Sequence, residues 1–202
     1  MRFAQLETAL VPAPVRVLGV RLRPFCLGHY LTLRATGNPF VAGVGARATE
    51  AELLTAVLVC AFDFDEGREM LADARGIAAG TWRRKVRRRW GFLPRKIDWA
   101  GASEAFREYL AEAWLQPKIW SDPDAAAVSL GAPWELALLS RGMSIGLRFD
   151  EALNMHLPAL WFITLAAAER ERAEKLFYSA EDQAIDDAVR AAEQEPENAT
   201  AN

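Results

Sequence analysis

Six of the nine residues from Trp82 to Trp90 are cationic: Arg83, Arg84, Lys85, Arg87, Arg88 and Arg89. No carboxylate occurs between Asp73 and Asp98. Clustered cations release counterions from phosphates, and the flanking rings of Trp82 and Trp90 can stack on unpaired bases, so the first chemistry this block offers is nucleic-acid binding. On a helix, however, the six cations would point in several directions and form a sleeve of charge without a recognition face. Nothing nearby spells a helix-turn-helix, a zinc finger or an RNA-recognition motif. The whole chain carries a net charge of −3, and its counterweight is the segment 181–202. There Glu181, Asp182, Asp186, Asp187, Glu193, Glu195 and Glu197 face a single base, Arg190. Three destinations stay open for the block: a solvated segment neutralised by the chain's own acidic end, a nucleic acid, or an acidic protein.

A second constellation is the apolar run ending in Asp63-Phe64-Asp65. The stretch Ala56 to Gly67 resembles the first motif of haloacid-dehalogenase-like phosphotransferases, in which an apolar strand delivers a DxD pair. That resemblance implies Asp63 as nucleophile and Asp65 as general acid/base, with Mg²⁺ offsetting their charges. Glu66-Gly67 departs from the small residue and Thr or Val usual after the pair. Thr49-Glu50-Ala51-Glu52 has capping-box spacing and predicts that the run is helical, and no repeated strand–helix units supply a parallel sheet. Carboxylates at a turn between helices are the plainer reading. An EF-hand fails on the same residues, because Gly67 stands where a ligand is needed and no Gly follows at 68. Gly43-Val44-Gly45-Ala46-Arg47-Ala48 formally fits GxGxxA, yet Pro39 interrupts any preceding strand and the helix signal starts only at Thr49, which leaves a loop. Cys26 and His29 are close enough on a helix to touch; a core histidine beside a buried thiol is expected, since a metal site needs further ligands. His156, the other histidine, has no Ser or Cys motif beside it. No catalytic residue, metal site or cofactor is therefore expected, and the chain reads as a non-enzyme.

The elements that would position these groups are mostly helices. At 202 residues, 51% hydrophobic and 25% charged, with seven Trp and ten Phe, the chain can bury a real core under a soluble surface. The longest apolar run, Leu157 to Ala168, is about half what a bilayer core requires, and the first residues lack a signal-peptide core. A cytoplasmic protein without a membrane partner is expected, its two cysteines reduced. Residues 1–24, with Pro12, Pro14 and Pro24, read as an extended arm or edge strand. Residues 25–115 form an N-terminal helical region containing the block at 82–90. Its helices are expected at Leu27–Ala35 (ended by Gly37-Asn38-Pro39), 50–61, Asp65–Ala78 and Ser103–Trp114. A linker spans 116–133. The C-terminal helical region, 134–192, has helices at Trp134–Ser140 (stopped by Gly142), Phe149–Asn154, after Pro158 to Leu176, and a last one using Ala184, Ile185, Ala188 and Ala192. Trp134, Leu138, Leu153, Trp161 and Leu165 are expected in one core there, and 193–202 to be a disordered acidic tail. The fold class is mainly α.

Two regions carry a further resemblance: Leu27-Gly28-His29-Tyr30-Leu31 through Gly37-Asn38-Pro39-Phe40, and Ala132-Pro133-Trp134-Glu135-Leu136 through Asp150-Glu151-Ala152-Leu153-Asn154-Met155. Together they cover about a third of the chain. The second is similar to tail assembly chaperones of tailed phages and prophages, where a short helix with an acidic pair and an Ala-Leu step precedes a longer apolar helix. The resemblance implies a non-enzymatic accessory protein in the host cytoplasm. Its partners would be the tape-measure protein, which it holds soluble, and tail-tube subunits, which it gathers. It carries no site residues, and the block at 82–90 and the N-terminal arm fall outside its pattern.

Overall fold

The computed structural model describes residues 6–42, 48–69, 97–114 and 131–172, together with 182, 184, 185, 188 and 189. The basic block, most of the GxGxxA stretch, nearly all of the linker and the acidic tail lie outside the described residues, as do 70–78, 173–176 and Ala192 of the expected helices.

Among the described residues the fold is mainly helical, with a two-stranded antiparallel sheet. Helix α1 (Leu6–Leu10) is followed by β1 (Arg16–Val17) and β2 (Val20–Arg21). The arm is thus partly a folded element. Leu18 and Gly19, at φ 53° and 78°, make the two-residue turn whose twist suits a hairpin. Val17 pairs with Val20 and Arg16 with Arg21; Val17 and Leu22 turn inward and are buried.

Helices α2 (Leu27–Ala35) and α4 (Glu50–Ala61) have the expected bounds. Gly37 at φ 67° and the short α3 (Pro39–Ala42) follow α2. The Thr49 hydroxyl accepts the Glu52 N–H, and the Glu52 carboxylate accepts the Thr49 N–H at 2.6 Å, so the capping box is complete. Residues 64–69 are helical.

Helix α5 (Trp99–Ala113) starts four residues before the expected Ser103, because Asp98 caps it by accepting the Gly101 N–H at 2.9 Å. Helix α6 (Trp134–Ser144) runs through Gly142, where expectation had it stop. That glycine lies under Leu160 and Ala152, and the reversal comes at Gly146, φ 98°. Helix α7 (Phe149–Asn154) has the expected bounds, and α8 (Leu157–Arg172) places Pro158 in its first turn, where a missing N–H costs nothing. Asp182, Ala184, Ile185, Ala188 and Val189 are helical.

One core joins the hairpin and α2, α4, α5, α6, α7 and α8, with Phe25, Phe106, Leu27, Leu33, Leu157 and Leu160 at its centre. Each such side chain contributes about 1.5–3 kcal/mol relative to exposure. Leu138 and Leu153 are buried in it, and Trp134 and Trp161 pack against it. Leu165 does not join them. It packs instead with Leu6, Ala9 and Phe162 where α1 crosses α8.

Candidate functional site

Trp82, Arg83, Arg84, Lys85, Arg87, Arg88, Arg89 and Trp90 lie outside the described residues. Asp63 and Asp65 are described, and both are engaged locally. Asp63 Oδ1 accepts the Glu66 N–H at 3.0 Å, starting the helical turn at 64–69, and its Oδ2 is 3.9 Å from Arg23 Nη2. Asp65 faces Arg68 at 3.7 Å. The Phe64 N–H donates to Asn154 Oδ1 at 2.8 Å, which fastens this turn to α7. Residues 50–61 are helical, so the strand that would deliver a phosphotransferase DxD pair is not there. Among the described residues no group of three or more His, Cys, Asp or Glu is placed to hold a metal ion.

Cys26 and His29 do meet, as the ends of a reciprocal cap on α2. The His29 N–H donates to Cys26 Sγ at 3.5 Å, and the Cys26 N–H donates to His29 Nδ1 at 3.3 Å. His29 Nε2 lies 2.7 Å from the Phe62 carbonyl oxygen. A carbonyl only accepts, so Nε2 carries the proton and Nδ1 is the acceptor: neutral imidazole satisfies both contacts. Burial, at 1% exposure, lowers the histidine's pKa to about 4, although its bond to Phe62 opposes the shift. Burial also pushes the Cys26 thiol up to about 12 and raises Cys60, which makes both poor nucleophiles. Tyr109, raised by the same burial, donates its hydroxyl to the Arg23 carbonyl at 2.7 Å.

The surface offers more than this interior. Tyr30, Trp114, Trp134 and Trp161 form a chain of rings from α2, α5, α6 and α8. Tyr30–Trp134 centroids are 5.1 Å apart, Trp114–Trp134 5.6 Å, and Trp134 stacks on Trp161 at 6.0 Å. Trp161 Nε1 is buried without a hydrogen-bond partner. Beside Tyr30, Arg34 of α2 pairs with the buried Glu135 of α6. Leu136 and Met143 are exposed on α6, at 56% and 48%, and Phe149 opens α7 at 53%. Sequence reading saw α6 and α7 but not these three as a set, because only burial separates the inner stripe, Leu138 and Leu139, from the outer one.

A cleft of about 410 Å³ opens between the proline-rich segment 12–15, β2 and α5. Pro14, Arg21, Arg23, Tyr109, Glu112 and His156 are among its lining residues. His156 Nδ1 donates to the Ala9 carbonyl at 2.8 Å, and partial burial lowers its pKa.

No protein-family model, curated protein or solved structure matches the chain. No helix among the described residues is long and apolar enough to cross a membrane.

Proposed function

We propose that this chain is a non-enzymatic accessory protein of the tail-assembly-chaperone type, which keeps an apolar helical client, the tape-measure protein, soluble. One observation carries the reading. The segment Ala132–Met155, the second of the two regions that carry the resemblance, leaves Leu136, Met143 and Phe149 exposed. Leu136 and Met143 are seven residues apart, two turns along the same side of α6. A helix side that keeps large apolar groups in water is suited to an amphipathic client helix, and methionine adapts its shape to different client residues. Cys26, His29 and Tyr109 make backbone hydrogen bonds that hold the fold.

Co-expression with the candidate tape-measure protein tests it. The client is expected to be soluble and to co-purify with this chain. The variant L136S/M143S/F149S is expected to lose capture while its circular dichroism stays unchanged, since these side chains are exposed. A client equally soluble with and without the protein would end the reading. The main competitor is nucleic-acid binding, favoured by the composition of 82–90, and it separates from the chaperone by salt dependence.

A further inference from the structure

The hairpin β1–β2 places like charges face to face. Arg16 and Arg21 are register partners, both exposed, and the neighbouring Leu22 N–H to Val15 carbonyl bond, 2.9 Å, makes theirs the non-hydrogen-bonded pair, in which side chains approach most closely. Directly opposed like charges destabilise a hairpin. Arg23 lies two residues beyond Arg21 and is exposed as well, while Val17 and Leu22 point into the core. Neither Arg16 nor Arg21 has an ion-pair partner among the described residues, and Arg23 reaches only Asp63, at 3.9 Å between partly exposed groups. Such a pair relieves little of the repulsion. Arg21 and Arg23 also line the cleft of about 410 Å³, beside Tyr109 and Pro14.

We propose that this arginine face binds the chain's own acidic segment, Glu193-Gln194-Glu195-Pro196-Glu197. Its carboxylates alternate with uncharged residues. In extended backbone, residues two apart share a side at a spacing of about 6.6–6.8 Å, and Arg23 follows Arg21 by two residues, just beyond the end of β2. Pro196 biases Glu195 toward that extended backbone. Carboxylates so placed would sit over Arg21 and Arg23 and answer the opposed Arg16, each as a charge-assisted pair. A nucleic acid fits less well: Glu112 in the cleft wall and Asp63 beside Arg23 repel a continuous polyanion, whereas a peptide with neutral residues between its acids tolerates them. Reach is sufficient. Helix α8 leaves the hairpin side of the molecule at Leu157, whose N–H bonds the Phe25 carbonyl at 2.8 Å. It runs for about 24 Å, and the residues from Arg172 to Glu193 span about 31 Å even if wholly helical. The proposal is independent of the client reading.

The test uses the full chain with Ala199→Cys carrying a nitroxide; Cys26 and Cys60 are 1% and 0% exposed and escape labelling. The backbone amides of residues 16–23 are expected to lose most of their NMR intensity. That loss should disappear in R16Q/R21Q/R23Q, in E193Q/E195Q/E197Q, and at about 1 M salt, where the screening length falls to about 3 Å. The glutamate variant leaves every described residue intact, so it reads the contact even if the arginine variant unfolds. Broadening centred on 82–90, no broadening anywhere, or broadening at the hairpin that survives the glutamate variant would each overturn the proposal. So would binding of an added acidic peptide at the hairpin while the chain's own segment stays away, which would assign the face to a foreign partner.

Discussion

At the scale of single residues, His29 sets the pH response. Its pKa falls from 6.5 to about 4 on folding because burial opposes the charged form. Between those values the unfolded chain binds a proton that the folded chain does not, so stability rises with pH across that window and is fully present above about 6.5. The shift corresponds to about 3 kcal/mol lost as the pH falls from 6.5 to 4. The contacts agree in sign, since a second proton on Nδ1 would meet the Cys26 N–H, itself a donor. His29→Gln is expected to flatten this part of the profile measured by urea unfolding. His156, also shifted downward, leaves a smaller slope of the same sign. An unchanged profile would mean that His29 titrates equally in both states. The spacing of Cys26 and His29 was legible in the sequence, and so was their place in the core. Their reciprocal cap was not, because a thiol and an imidazole replace the hydroxyl and carboxylate that mark a capping box.

At the scale of elements, the helices with strong local signals were legible: Thr49 and Glu52 delimit α4, and Gly37 follows the end of α2. The misplaced boundaries have tertiary or turn causes. Gly142 continues α6 because Leu160 and Ala152 close over it, and the Leu18-Gly19 turn depends on a left-handed leucine that no propensity favours. A close approach of the same kind governs Gly28. A methyl group there would come 2.7 Å from the Phe64 side chain, at its Cβ and ring root, where rotation offers no escape. Gly28→Ala is expected to cost about 1–3 kcal/mol by overpacking, and to loosen the turn at 64–69 from α2. Thermal unfolding measures the first effect; exchange of the Phe64 amide, bonded to Asn154, measures the second. Trp161→Ala should cost about 3 kcal/mol by removing the ring stacked on Trp134, the lower end for a large aromatic because Trp161 is only partly buried. A cost under about 1 kcal/mol would show that the ring chain contributes little to the fold.

At the scale of the whole molecule, charge and apolar surface are distributed separately, and this separation distinguishes the two leading functions. The charge segregation is legible in the sequence, with the cations of 82–90 set against the acids of 181–197, whereas the exposed side of α6 and α7 becomes legible only once the core is known. If the six cations between Trp82 and Trp90 hold phosphates, log-log plots of binding against salt should have a slope of up to about −4 to −5, depending on strand form. Arg87, Arg88 and Arg89 supply half of those cations, so R87A/R88A/R89A should roughly halve the slope, because each neutralised phosphate contributes a nearly constant increment. A chaperone requires a different pattern. Client capture through Leu136, Met143 and Phe149 rests on burial of apolar surface, which salt does not screen, so the same triple variant should leave capture intact. We expect that second pattern, with nucleic-acid binding weak and unspecific. Tight nucleic-acid binding lost in R87A/R88A/R89A, together with a client indifferent to L136S/M143S/F149S, would reverse the order of the two functions and make the helical core a scaffold for the basic block.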